Sequence, residues 1–481
     1  MKRSIYLDSV SLKFWKSKFW KSKYWQQISL SALIGLPIAS GLLIVTQPNF
    51  PVKVAALQSR LLSPLKEPYR YPFYDSLSQG ERRPMARLQQ EIGFYQMQVR
   101  QYPDRALDQA ALAAAYLRAA RMTGEGSWYL LAEQTAQRSL AILPIENAEA
   151  LSVMARVTEA KHDFAEALRL AQQIPKPTET LSIQATSNLA LGKLTAARQA
   201  ADTLVDQTLS QNAFSLLGLV QTAQGQDEAA LKSFDYALEV EEAGELSSSA
   251  RTRTLLGRFY YERGDLKRAG DFYDEALNIL PDYSQALLNQ AQLAIRQGHY
   301  QVAEQRYQRM NQLSQGAPTL FDPLILRGRA QIKALQGDRT GAEALWTEAE
   351  TLLRQSLGDS SFGHRRDLAR LLLERGQTQD IPEAVTLMQA EVQHRRDAET
   401  LNTYAWALFE AKRWPEAQAA VQEAMASGVR SAGLYDRAAA VEQALGNATQ
   451  VNAYRQKMQQ IDPQFNDNAR RAVSLGAGLG S

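Results

Sequence analysis

Cysteine is absent from all 481 residues. Disulfides, thiolate metal sites and cysteine nucleophiles are therefore excluded. Histidine is almost absent: His162, His299, His364 and His394 are far apart, with no metal-ligand spacing. An excess of one charge is also missing. Lys and Arg total 54 against 51 Asp and Glu, and part of the net +3 sits at the extreme N-terminus. A nucleic-acid binder needs a dense basic footprint on its folded domain, so no nucleic-acid partner is expected. Runs of β-branched residues are scarce, whereas Ala, Leu, Gln, Arg and Glu dominate; all five favour helix. Glycine-rich phosphate loops are missing, since Gly476-Ala477-Gly478 follows no strand. Carboxylate pairs such as Glu241-Glu242 read as solvated loop. No catalytic residue, cofactor or metal site is expected, and the chain reads as a non-enzyme.

Long apolar runs are rare too, with one exception. No charged residue falls between Tyr24 and Val52, and the run from Ile28 to Val45 would span about 27 Å as a helix. Lys2, Arg3, Lys13, Lys16, Lys18, Lys21 and Lys23 precede it, against Asp8 alone. This bias predicts a basic, aromatic cytoplasmic tail (1–27) and a single transmembrane helix or uncleaved signal anchor (28–46). Everything after it is then extracytoplasmic, periplasmic or lumenal. Trp15, Trp20 and Trp25, with Lys21 and Lys23, suit the headgroup layer of the inner leaflet. A second reading stays open, because Val54-Ala55-Ala56 resembles a cleavage site that would release a soluble exported module. Residues 47–85 carry Pro48, Pro51, Pro64, Pro68, Pro72 and Pro84 and read as a semi-extended tether. Its aromatic patch, Tyr69 to Tyr74, is expected on the first repeat or at the membrane surface.

The rest of the chain is periodic. Ala132, Ala167, Ala197, Ala230, Ala269, Ala303, Ala342, Ala384, Ala417 and Val451 follow one another at gaps of 30 to 42 residues. Such a period marks a solenoid of stacked units, each burying its apolar face against its neighbours. The clearest unit, Ala250 to Pro281, carries Leu256-Gly257, Tyr260, Gly264, Ala269, Tyr273, Ala276 and Pro281. Small residues there let paired helices approach, an aromatic fills the hole between successive hairpins, and proline stops the second helix. These offsets resemble the tetratricopeptide repeat family. Upstream, Leu217-Gly218, Gly225, Ala230, Phe234 and Ala237 repeat them, and Ala330, Gly337, Ala342, Trp346 and Ala349 do so downstream. Earlier units lack the aromatic.

The expected fold is all-α: a tetratricopeptide-type α-solenoid of about ten helical hairpins over residues 86–465, preceded by the transmembrane helix. A flexible polar tail (466–481) follows. The longer gaps, of 39 and 42 residues, are read as polar loops between repeats. The resemblance further implies a concave face lined by the first helix of each hairpin. Carried over position by position, that face presents Arg251, Arg258, Arg296, Arg327, Arg366, Arg370, Asn402 and Trp406 as candidate peptide-binding residues. The pair that grips C-terminal carboxylates in one branch of the family is replaced here by Thr254 and Arg258, and by Leu288 and Gln292. A carboxylate clamp is therefore not supported. The resulting expectation is a membrane-tethered scaffold whose concave face takes a protein or peptide partner and assists complex assembly. The sequence specifies no oligomeric state.

Overall fold

A computed structural model describes residues 70–73, 84–314, 316–358, 362 and 364–472. Helix α1 (Pro84–Gln101) is followed by antiparallel hairpins: α2 (Ala106–Thr123) with α3 (Gly126–Ile142), α4 (Ala148–Ala160) with α5 (Phe164–Ala171), and α6 (Pro177–Ala190) with α7 (Leu194–Thr208). Next come α8 (Gln211–Ala223) with α9 (Asp227–Glu239), and α10 (Leu246–Glu262) with α11 (Leu266–Ile279). The second half pairs α12 (Ser284–Arg296) with α13 (Tyr300–Leu313), α14 (Asp322–Leu335) with α15 (Arg339–Gly358), and α16 (Arg365–Arg375) with α17 (Ile381–His394). It ends with α18 (Ala398–Glu410) and α19 (Trp414–Ala426), then α20 (Ala432–Ala444) and α21 (Ala448–Ile461), and a short α22 (Asp467–Arg471). Among the described residues there are thus ten hairpins and no strand, an all-helical, tetratricopeptide-like solenoid.

Each periodic small residue falls in the second helix of its own hairpin, from Ala132 in α3 to Val451 in α21. All nine alanines are fully inaccessible. A larger side chain there would push the two helices apart. The aromatics behave slightly differently from the expectation. Phe234 and Tyr273 lie over Gly218 and Gly257 of their own hairpins, while Tyr307 reaches across to Gly328 of the next. Helix starts are set by short polar caps: Asn147, Asp163, Ser210, Asp265, Asp397 and Ser431 each accept a backbone N–H of the following turn. Every hairpin turn passes through the left-handed region. Eight of the ten do so at glycine, and His162 (φ 62°) and Lys412 (φ 59°) take that place in the other two.

The array winds back on itself. The turn of the first hairpin meets the junction after the sixth, where Leu320 N–H donates to the Gly124 carbonyl at 2.8 Å. Arg396 N–H donates to the Ala190 carbonyl at 3.0 Å beside the third turn. Gly225 of the fourth turn abuts the Gly428 carbonyl, and Gly264 of the fifth abuts the Asp462 carboxylate. Each of these early turns therefore seats on the junction that follows the hairpin five places further on. Two of the long loops serve this seam. The segment after α13 supplies Leu320 and Phe321, and the one after α15 supplies Phe362, whose ring lies 5.6 Å from Tyr129.

Several sequence expectations change here. Glu241 is not solvated: it is buried and bridged by the equally buried Arg253, with Gln211 donating at 3.1 Å. Of the aromatic patch, Tyr71 packs on the fifth hairpin, not the first. Tyr71 is 1% exposed, its N–H donates to Glu275 at 2.6 Å, and Phe73 meets its ring edge-on. Of the polar tail, Asp467–Arg471 is helical and held by Arg470 against Asp436 at 2.7 Å. The predicted membrane helix (28–46) and the interface residues Trp15, Trp20, Lys21, Lys23 and Trp25 lie outside the described residues. Among the described residues, no helix is long and apolar enough to cross a membrane.

Candidate functional site

Among the described residues, two cavities on the inner side of the winding are lined mainly by the first helices of successive hairpins. The larger, about 620 Å³, belongs to the first half and is bordered by α2, α4, α6, α8 and α10. The smaller, about 230 Å³, belongs to the second half and reaches from α10 to α20. Most of the residues lining both cavities are polar, although their aliphatic stems and the apolar residues among them supply much of the wall.

Five of the eight candidate residues meet at the smaller cavity: Arg258, Arg296, Arg370, Asn402 and Trp406. They are not free cations. Glu399 is the hub, accepting from Arg370 at 3.2 Å and lying 3.6 Å from Arg258 and 3.9 Å from Arg366. Burial opposes the Glu399 charge, but Arg366, Arg258 and Arg370 outweigh it and hold the carboxyl below its usual range. Arg258 also donates to Glu262 at 3.0 Å, and Arg296 bridges Asp462 while donating to the Tyr261 carbonyl at 2.9 Å. Trp406 donates to Glu410 at 3.0 Å and carries the Arg437 guanidinium 4.8 Å above its ring. Burial lowers the Arg437 pKa to about 10.

Two candidates lie beneath the surface. Arg327 is fully buried and held by Glu374 at 2.8 Å and Asp367 at 3.3 Å. Arg366, also buried, donates to Thr400 at 3.3 Å and lies 3.8 Å from Asp397. Burial opposes its charge, yet Glu399 and Asp397 keep the guanidinium above its ordinary value. Of the eight, Arg251 alone lines the larger cavity.

The larger cavity also contains residues that the repeat reading missed. Arg156 donates to Glu179 and to Glu159, both at 3.0 Å, and Arg118 bridges Glu91 at the rim. Arg121 has neither a carboxylate nor a hydrogen-bond partner among the described residues, and its Nε is buried without an acceptor. Arg251 donates only to Asn212, at 2.9 Å. Burial, reinforced by Arg156, lowers the pKa of Arg121; burial likewise lowers that of Arg251, against the pull of Tyr283. A signal for the missed residues did exist. Arg121 and Arg156 stand eleven places before Ala132 and Ala167, the same offset as Arg258 before Ala269.

His162 and Glu391 meet at the seam, 4.0 Å apart. Burial, with Arg395 and His364 beside it, lowers the His162 pKa to about 3, so the ring is neutral. Burial raises the Glu391 carboxyl, although Arg365 stands 3.8 Å away. Among the described residues, no group of three or more His, Asp and Glu is placed to hold a metal ion.

Fold and lined interior together define a helical-repeat superhelix of tetratricopeptide-like build. No protein-family model matches the chain, and no curated protein matches it in sequence. Solved structures match at low identity. The crystal structure of yeast Tom70 is 13% identical, with 78% of this chain and 94% of that one covered and a TM-score of 0.32. The crystal structure of the APC/C hetero-tetramer Cut9–Hcn1 is also 13% identical, with 88% and 99% covered and a TM-score of 0.32. At these values neither likeness brings a partner to this chain.

Proposed function

We propose that the chain is a membrane-tethered helical-repeat scaffold that binds a protein or peptide partner along the inner face of its winding. The observation that carries this reading is the lumen itself, in which successive first helices present polar side chains into two cavities. Ten hairpins repeated without an inserted domain give a long recognition surface instead of one reactive centre. The partner would be gripped at several points in turn, so weak contacts sum.

The tether rests on the sequence: an apolar run preceded by seven basic residues, then a proline-rich connection. It would keep the array on the extracytoplasmic side and raise its concentration near other membrane proteins. Photo-crosslinkers at Asn212 and Asn402, inside the lumen, should capture the partner, whereas one at Gln308 on α13 should not. Capture from Gln308 alone would place the partner on the outer surface and remove this reading. Carbonate extraction tests the tether separately. Retention in the membrane pellet supports the anchor, and full release of a shortened chain supports the exported module.

A further inference from the structure

We propose that the larger cavity is an oxyanion site that takes a phosphate-type group between Arg121 and Arg251. The inference does not depend on the tether or on the identity of a protein partner.

The first ground is charge left over. Nearly every other arginine of the inner face has a carboxylate: Arg156 has Glu159 and Glu179, Arg258 has Glu262, Arg296 has Asp462, Arg370 has Glu399. Arg437 instead stacks on Trp406. Arg121 has no hydrogen-bond or ion-pair partner among the described residues and feels Glu159 and Tyr129 only at longer range, and Arg251 has only an amide oxygen. Arg156 is shared by two carboxylates, so the cavity as a whole carries an excess of about one positive charge, concentrated on two guanidiniums that have no carboxylate of their own. A phosphate monoester carries about −1.5 to −2 near neutrality and three acceptor oxygens, so one group can engage both guanidiniums. Its oxygens also suit the planar fork of arginine.

The second ground is the wall around them. The first turn of α10, at Leu246, Ser247 and Ser248, opens on the cavity, and its N-cap residue Glu245 makes no side-chain cap. Unsatisfied N–H groups and the positive end of the helix dipole thus face the same space. Glu245 is exposed at the mouth, and Glu179 and Glu159 are bound to Arg156, so they act on Arg121 and Arg251 only at longer range, without a hydrogen bond to either. The volume of about 620 Å³ lies within the range of small-ligand pockets and exceeds what a lone ion needs. An ester, with its organic part toward Leu216 and Leu280 on the wall, fits better than bare phosphate.

Calorimetric titration of the full chain with O-phosphoserine, inorganic phosphate and glutamate tests the proposal. Phosphoserine should bind saturably and glutamate at least tenfold more weakly. Inorganic phosphate binding as tightly as phosphoserine supports recognition of the oxyanion alone, and tighter phosphoserine supports an ester site. Arg121→Gln and Arg251→Gln should each weaken phosphoserine at least tenfold, while Arg437→Gln in the other cavity leaves it unchanged. In phosphate-free buffer Arg121→Gln should melt at or above the parent Tm, showing that the variant folds. The proposal is overturned by no saturable binding of either phosphate, by glutamate binding as tightly as phosphoserine, or by undiminished binding in both variants.

Discussion

The two cavities of the inner face are lined by the same kind of helix, yet they differ in how many arginines are left without a carboxylate. At the smaller cavity, Glu399 gathers Arg258, Arg366 and Arg370 into one network, and Asp462 closes on Arg296. At the larger one, Arg156 is engaged by Glu159 and Glu179, whereas Arg121 and Arg251 stand without a carboxylate. The turns differ in the opposite sense. Early turns press on later junctions, whereas Gly298, Gly337, Gly376 and Gly446 of the later hairpins face open space, with room for an added methyl group. A closed charge network holds structure; an open one is available to a ligand.

That contrast can be broken most forcefully at a turn. Gly225 has φ 70° and the Gly428 carbonyl against it, so Gly225→Ala should cost roughly 3 kcal/mol, from left-handed strain plus displacement of the seam. Gly298→Ala, with φ 77° and open space, should cost only about 1 kcal/mol. Equal losses in urea melts would mean that the windings do not hold one another. Next in size is Glu399→Gln, which leaves three arginines facing each other. A loss of about 2 kcal/mol is expected once the partial exposure of Glu399 is allowed for. An unchanged melt would show that the network carries no stability.

Acidification probes the seam at the second turn. His162 falls from an ordinary 6.5 to about 3 in the folded chain, so the unfolded chain takes up the proton first. Stability on its account is therefore complete above about pH 6.5 and declines toward pH 3, by up to about 1.4 kcal/mol per pH unit. Glu391, with its raised carboxyl, acts in the opposite direction and blunts the slope. His162→Gln should flatten the dependence of Tm on pH between 6.5 and 4.5; an unaltered slope would assign it to other groups. The smallest effect is expected from Arg121→Gln, a gain of no more than about 1 kcal/mol from relief of like-charge crowding. A loss would mean that Arg121 has a structural partner in the folded chain.

Much of the fold was legible because packing repeats in sequence. The residues read as period markers, Ala132 to Val451, each occupy a second helix, and Gly192, Gly225, Gly264, Gly298, Gly337 and Gly446 each mark a hairpin turn. The site was legible only in part. Arg251, Arg258, Arg296, Arg370, Asn402 and Trp406 were placed on the inner face by offset alone, but their partners lie up to 166 residues away, as with Asp462 beside Arg296. Arg121 and Arg156 escaped because the early hairpins lack the aromatic that fixes the register. Glu241 escaped because a polar loop gives no sign of a buried arginine beneath it.

By itself, then, the sequence determined the hairpin: small residues where helices touch, glycine where the chain reverses, capping residues where helices begin. These are local requirements, met within about 34 residues and repeated. Tertiary structure alone decided which charges are neutralised and which remain available. That depends on small rotations between neighbours, summed over five hairpins, until one winding meets the next.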